Sequence, residues 1–107
     1  MEKALIEELW KEHQSASFPE SYSGKDVNGI DFVMLDADVA GCVDTFVSTG
    51  NLNLYQTAVL GVCYRDLNFI MPILNEEGRD YYWRLERIAE LVLKAVAETN
   101  RKEHERA

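Results

Sequence analysis

At 107 residues, with 47% apolar and 28% charged side chains, the chain has the size and composition of one globular domain and not of a disordered tail. Its net charge of −8 is unevenly placed: residues 1–75 hold eleven acids and four bases, residues 76–107 eight acids and seven bases. Between Lys25 and Arg79 the only base is Arg65, which argues against nucleic acid as a partner, because phosphate contacts need clustered Lys and Arg.

Residues 2–16 read as a first helix, with Leu5, Ile6, Leu9, Trp10 and His13 on one face and Lys3/Glu7 and Glu7/Lys11 as exposed pairs. Pro19 stops it by disfavouring helix in the residue before. Residues 17–35 are the irregular part. They end in Ile30-Asp31-Phe32-Val33-Met34-Leu35, a run of strand-like composition with no evident partner strand. It is expected to lie extended across helices or to pair with a second copy. Asp36 or Asp38 is the expected N-cap of a second helix, lined inside by Val39, Cys42, Val43, Phe46 and Val47 and ended by Gly50.

Asn53 and Gln56 form a capping-box pattern for a third helix over roughly 54–71. That helix is apolar most of the way round, with only Thr57, Gly61, Arg65 and Asn68 as a polar wedge, so it belongs inside a bundle. Pro72 ends it. A fourth helix, about 76–101, carries the stripe Tyr81, Tyr82, Leu85, Ile88, Ala89, Val92, Ala95 and Val96, with Arg101 to Ala107 as a fraying end. The predicted fold is all-α, a four-helix up-down bundle over residues 1–107 with a long irregular 17–35 segment. An α+β arrangement with one short strand pair is the alternative.

No apolar run approaches the ~20 residues that span a bilayer. The acidic start lacks a signal-peptide pattern, so a cytoplasmic protein without a membrane partner is expected.

The chemistry-bearing residues mostly read as structural. Asp36-Ala37-Asp38-Val39-Ala40-Gly41 fails as a calcium loop, because Ala40 and Val47 stand where oxygen ligands are needed. Glu8/Glu12 and Glu86/Glu90 lie on the polar sides of their helices, unlike the inward carboxylates of helical metal-dependent hydrolases. Cys42 and Cys63 fall at similar heights of a helical hairpin and read as core thiols. His13 reads as a satisfied boundary histidine and His104 falls in the tail, so no general base is evident. No catalytic residue, metal ligand or cofactor is predicted.

Two residues break the pattern. Asp66 projects from the apolar arc of the third helix near Val59, Val62 and Ile70, where a buried carboxylate needs a partner such as Arg84, a tyrosine hydroxyl or a loop amide. Trp83 lies on the polar side of the fourth helix, as an interface anchor or under a cover formed by residues 17–35.

The block Gly29-Ile30-Asp31-Phe32-Val33-Met34-Leu35-Asp36-Ala37-Asp38-Val39-Ala40-Gly41-Cys42-Val43 resembles one in small uncharacterised bacterial proteins of about this length, a likeness reaching over residues 18–95. The resemblance implies a bacterial cytosolic origin and carries no activity, cofactor or site residue.

The expected function is that of a non-enzymatic interaction protein. Trp83 and the acidic loop would meet a protein partner or a second copy, one variant being an immunity-type protein that masks a basic toxin. The candidate binding residues are Trp83, Asp66, Asp36, Asp38, Phe32 and Tyr82. Two alternatives stand beside it: a small enzyme using Asp66, neighbouring carboxylates and a divalent ion, and a small-ligand binder with a pocket lined by Phe32, Tyr55 and Tyr82.

Overall fold

The structure is a computed structural model that describes the backbone of residues 2–106 and the side chains of residues 2–102. Among the described residues, four helices make the fold: α1 (Glu2–Ser15), α2 (Phe32–Thr49), α3 (Leu54–Ile70) and α4 (Glu76–Arg106). Two short strands, β1 (Asp26–Val27) and β2 (Ile30–Asp31), form an antiparallel hairpin before α2. The architecture is an all-α four-helix fold with one small strand pair.

The helices alternate in direction. His13, near the end of α1, meets Asp36 near the start of α2 and Arg84 near the start of α4. At the other end, Glu2 and Lys3 share a hollow with Gly50 and Thr99. The link Gly50–Asn53 is too short for anything but an antiparallel α2–α3 pair. α4 packs against all three other helices. At ~1.5 Å per residue its length accounts for the 48 Å long axis of the molecule.

The expected stripe of α4 is the spine of the core: Tyr82, Leu85, Ile88, Ala89 and Val92 are fully buried, facing Ile6 of α1, Val39 and Val43 of α2, and Leu60 and Leu67 of α3. Burying side chains of this size contributes roughly 1.5–3 kcal/mol each before the entropy of ordering them is set against it. The capping box at the head of α3 is present, with Asn53 and Gln56 each bonding the other's backbone N–H. Gly50 ends α2 at φ 85°, and its N–H donates to the Phe46 carbonyl.

Three expectations are corrected. The run Ile30–Leu35 is not one extended segment. Its partner strand is Asp26–Val27, and the turn between them is Asn28-Gly29 at φ 49° and 80°, the left-handed pair that a tight hairpin requires. From Phe32 onward the run is helical, because Phe32, Leu35, Val39 and Cys42 bury one face at helical spacing and this outweighs β-prone composition. The N-cap of α2 is therefore Asp31, whose carboxylate accepts from the Met34 N–H at 2.9 Å, while Asp36 and Asp38 sit inside the helix.

α4 also runs to Arg106 instead of fraying from Arg101, and its closing turns are rich in helix-forming Arg, Lys and Glu. The side chain of His104 lies outside the described residues.

The 17–35 segment is pinned to the start of α4. The Tyr22 hydroxyl donates to Asn75 Oδ1 and accepts from the Asn75 N–H, both at 2.9 Å. Ser21 donates its N–H and hydroxyl to Glu77. Glu77, thereby stabilised as a carboxylate, is held below its ordinary pKa by those Ser21 bonds. Phe18 and Tyr22 pack edge-on against Tyr82, so the segment covers that ring.

Candidate binding groove between α2 and α3

Two constellations of polar residues emerge from this fold. The first is a chain of hydrogen bonds across α1, α2 and α4. Arg84 Nε donates to His13 Nδ1 at 3.2 Å, and His13 Nε2 lies 3.3 Å from Asp36 Oδ1. The Tyr81 hydroxyl donates to Asp36 Oδ2 at 2.7 Å. A guanidinium carries only donors, so Nδ1 must accept and Nε2 must hold the imidazole proton that points at Asp36. Burial and the bond to Asp36 push the Tyr81 phenol up from its ordinary pKa. Arg84 also reaches Glu12 at 3.6 Å.

A His–Asp pair invites comparison with a general base, but this one has no free nitrogen. Both ring nitrogens are engaged, the ring is 5% exposed, and it lies between Trp10 and Tyr81. It has no face to offer a substrate. Its work is to tie three helices together at one level. Sequence reasoning placed His13 on the apolar side of α1 and Asp36 near the head of α2, yet did not join them. Of the three kinds of partner open to Asp66, Arg84 is engaged instead by His13 and Glu12, and Asp66 lies beside Arg65.

The second constellation is a groove of about 530 Å³ between the hairpin, α2 and α3. Gly29, Ile30 and Asp31 form one end, and Met34, Leu35 and Asp38 form the α2 wall. Tyr55, Ala58, Val59, Val62, Cys63 and Asp66 form the α3 wall. A smaller hollow shares Ile30 and Asp66 and extends the groove past Arg65 to Phe69. Among the described residues, none of α4 lines either one.

Apolar side chains stand open along this face: Met34 is 56% exposed, Tyr55 77%, Val62 49% and Phe69 45%. α3 presents this open stripe because its main packing, against α2 and α4, is on its other sides. The expectation of an α3 enclosed within the bundle is corrected accordingly. Asp66 is not a buried acid. It is partly exposed on the groove wall, 3.5 Å from its neighbour Arg65. Asp31 and Asp38 add two further carboxylates to the lining.

The remaining candidates fall elsewhere. Phe32 and Tyr82 are core residues and line neither the groove nor its extension. Tyr82 is fully buried and donates its hydroxyl to the Phe32 carbonyl at 2.9 Å, closing the head of α2 onto α4. Of the three aromatics expected around a ligand, only Tyr55 lies on the groove. Trp83 is 52% exposed, away from the groove, and stands near Arg87 and Glu90 on the polar side of α4.

The thiols are buried and free. Cys42 donates weakly to the Gln56 carbonyl at 3.6 Å. Burial, reinforced by Asp38, raises the Cys42 thiol and pushes Cys63 up to about 12, the opposite of what a nucleophile requires. Among the described residues, no three His, Cys, Asp or Glu side chains converge as metal ligands, and no helix is long and apolar enough to cross a membrane.

No protein family matches the chain, and no curated protein or solved structure gives a match to it.

Proposed function

We propose that this chain is a non-enzymatic interaction protein whose working face is the groove between the hairpin, α2 and α3. The observation that carries the reading is the open apolar stripe of Tyr55, Val62 and Phe69 set beside Met34 and rimmed by Asp31, Asp38 and Asp66. Contiguous exposed apolar surface edged by polar groups marks binding sites on soluble proteins. The engaged nitrogens of His13 and the raised thiols support a binding role over a catalytic one. Trp83 is the competing anchor, but its exposed ring lines neither the groove nor its extension.

Binding of a neutral solvatochromic dye tests the reading. Nile red emission is expected to rise and shift to the blue with the wild-type chain and with Trp83→Glu, and to be lost with Val62→Glu. Loss with Trp83→Glu and retention with Val62→Glu would move the binding face to α4. A second reading, a site for a small organic ligand, draws on the groove's volume, which lies in the usual range of such pockets. A thermal-shift screen of small amphiphilic amines bears on it, with a concentration-dependent rise in Tm as the supporting result.

A further inference from the structure

The stripe on α3 has a period. Tyr55, Val59, Val62, Asp66 and Phe69 follow one another at steps of four, three, four and three residues, the spacing of a coiled-coil seam. A seam of this kind on a helix with one face unpacked is built for a further helix. Tyr55 to Phe69 spans about 21 Å at the helical rise, close to four turns, and the groove with its extension follows that length.

Within the seam, Asp66 occupies a position where an apolar residue would pack best. A polar group at such a place fixes which partner docks, at some expense in affinity. Asp38 and Asp31 line the same groove, and the nearby base, Arg65, is largely exposed and outside the lining of the main groove. The face thus has apolar knobs and a negative centre.

We infer that the groove takes one amphipathic helix from a different protein, about three to four turns long, with a Lys or Arg within its apolar face to meet Asp66 and Asp38. This deepens the proposed function and rests on it. A second copy of the chain fits the face poorly, because an isologous pairing would bring both sets of three carboxylates together.

The test uses the full chain and two labelled synthetic helices, each about three heptads long with Leu at the seam positions. One carries Lys at its central seam position and the other Glu. Fluorescence polarisation is expected to show saturable binding of the Lys helix and about tenfold weaker binding of the Glu helix, equivalent to about 1.4 kcal/mol. Asp66→Lys is expected to reverse that order, and Val62→Glu to abolish binding of both. Asp44→Lys, the same charge change on an exposed α2 site outside the groove, is expected to preserve the preference.

Circular dichroism melts confirm that each variant folds, and Asp66→Asn, which removes the charge without reversing it, is expected to erase the preference if Asp66→Lys unfolds. Equal binding of the two helices would overturn the inference. So would sedimentation of the wild-type chain as a dimer that Val62→Glu dissociates. If neither helix binds while Nile red still lodges in the groove, the inference fails and the binding-face reading stands.

Discussion

Replacing Asp36 by Asn changes one atom and makes a demanding test of the polar network. The carboxylate accepts two hydrogen bonds, from His13 Nε2 at 3.3 Å and from the Tyr81 hydroxyl at 2.7 Å. An amide has one carbonyl oxygen, so it can serve one donor and must turn its NH2 toward the other. A buried donor left unmet costs about 1–3 kcal/mol. Asp36→Asn is therefore expected to destabilise the fold by about 1–3 kcal/mol, on the order of 5–20 °C in Tm for a domain this small.

Tyr81→Phe removes a donor instead of stranding one and is expected to cost about 1 kcal/mol. In the double variant the Asn carbonyl serves His13 and the stranded hydroxyl is gone, but the amide NH2 loses the Tyr81 oxygen as its acceptor. Because the two side chains share these bonds, the losses should depart from additivity by about 0.5 kcal/mol or more. Urea denaturation followed by circular dichroism and tryptophan fluorescence measures all three. An Asp36→Asn loss below about 0.5 kcal/mol, or strict additivity in the double variant, would refute this account of the network.

Gly78 lies under the Tyr22 ring, and a methyl group there would stand 2.5 Å from Cε2. The ring cannot turn aside without losing both bonds to Asn75. Gly78→Ala is thus expected to cost about 1–2 kcal/mol in a thermal melt, where helix propensity alone would give a gain of about 1 kcal/mol. Glu77 is held below its ordinary pKa of 4.5 by Ser21, so its contribution is present above that value and lost as pH falls through the lowered one. The stability gap between wild type and Glu77→Gln should be open at pH 7 and should close in acid; a gap that widens in acid would contradict the assignment. With Cys63 buried and pushed up to about 12, both thiols should react with Ellman's reagent at pH 8 far faster in urea than in the folded chain. Equal rates in the two states would contradict their burial.

The parts of this fold legible from sequence are those in which one local rule acts alone. The stripe of α4, the capping box at Asn53 and the glycine end of α2 each follow from spacing or cap chemistry, and each is present. The head of α2 was obscured because two signals overlap there. Ile30–Leu35 has strand composition, while Phe32, Leu35 and Val39 already keep helical period, and burial against Tyr82 decides for the helix. The Asn28-Gly29 pair was the available sign of the hairpin.

Asp66 stood out because an acid in an apolar arc breaks the pattern, but sequence cannot say whether such an arc faces a neighbour or the solvent. Here it faces a groove, which turns an apparent buried acid into a partly exposed residue of the groove wall. The His13–Asp36 pair was beyond reach for a different reason. It joins residues 23 apart in sequence through the relative rotation of two helices, which neither helix encodes by itself.

The most direct test of the binding face is a residue-resolved map of contact. Addition of the Lys-bearing helix to the isotopically labelled chain, followed by amide chemical shifts, is predicted to perturb Met34, Tyr55, Val62, Asp66 and Phe69 while leaving Trp83 and its neighbours on α4 unmoved. Perturbation centred on Trp83, with the α2–α3 groove silent, would contradict the account.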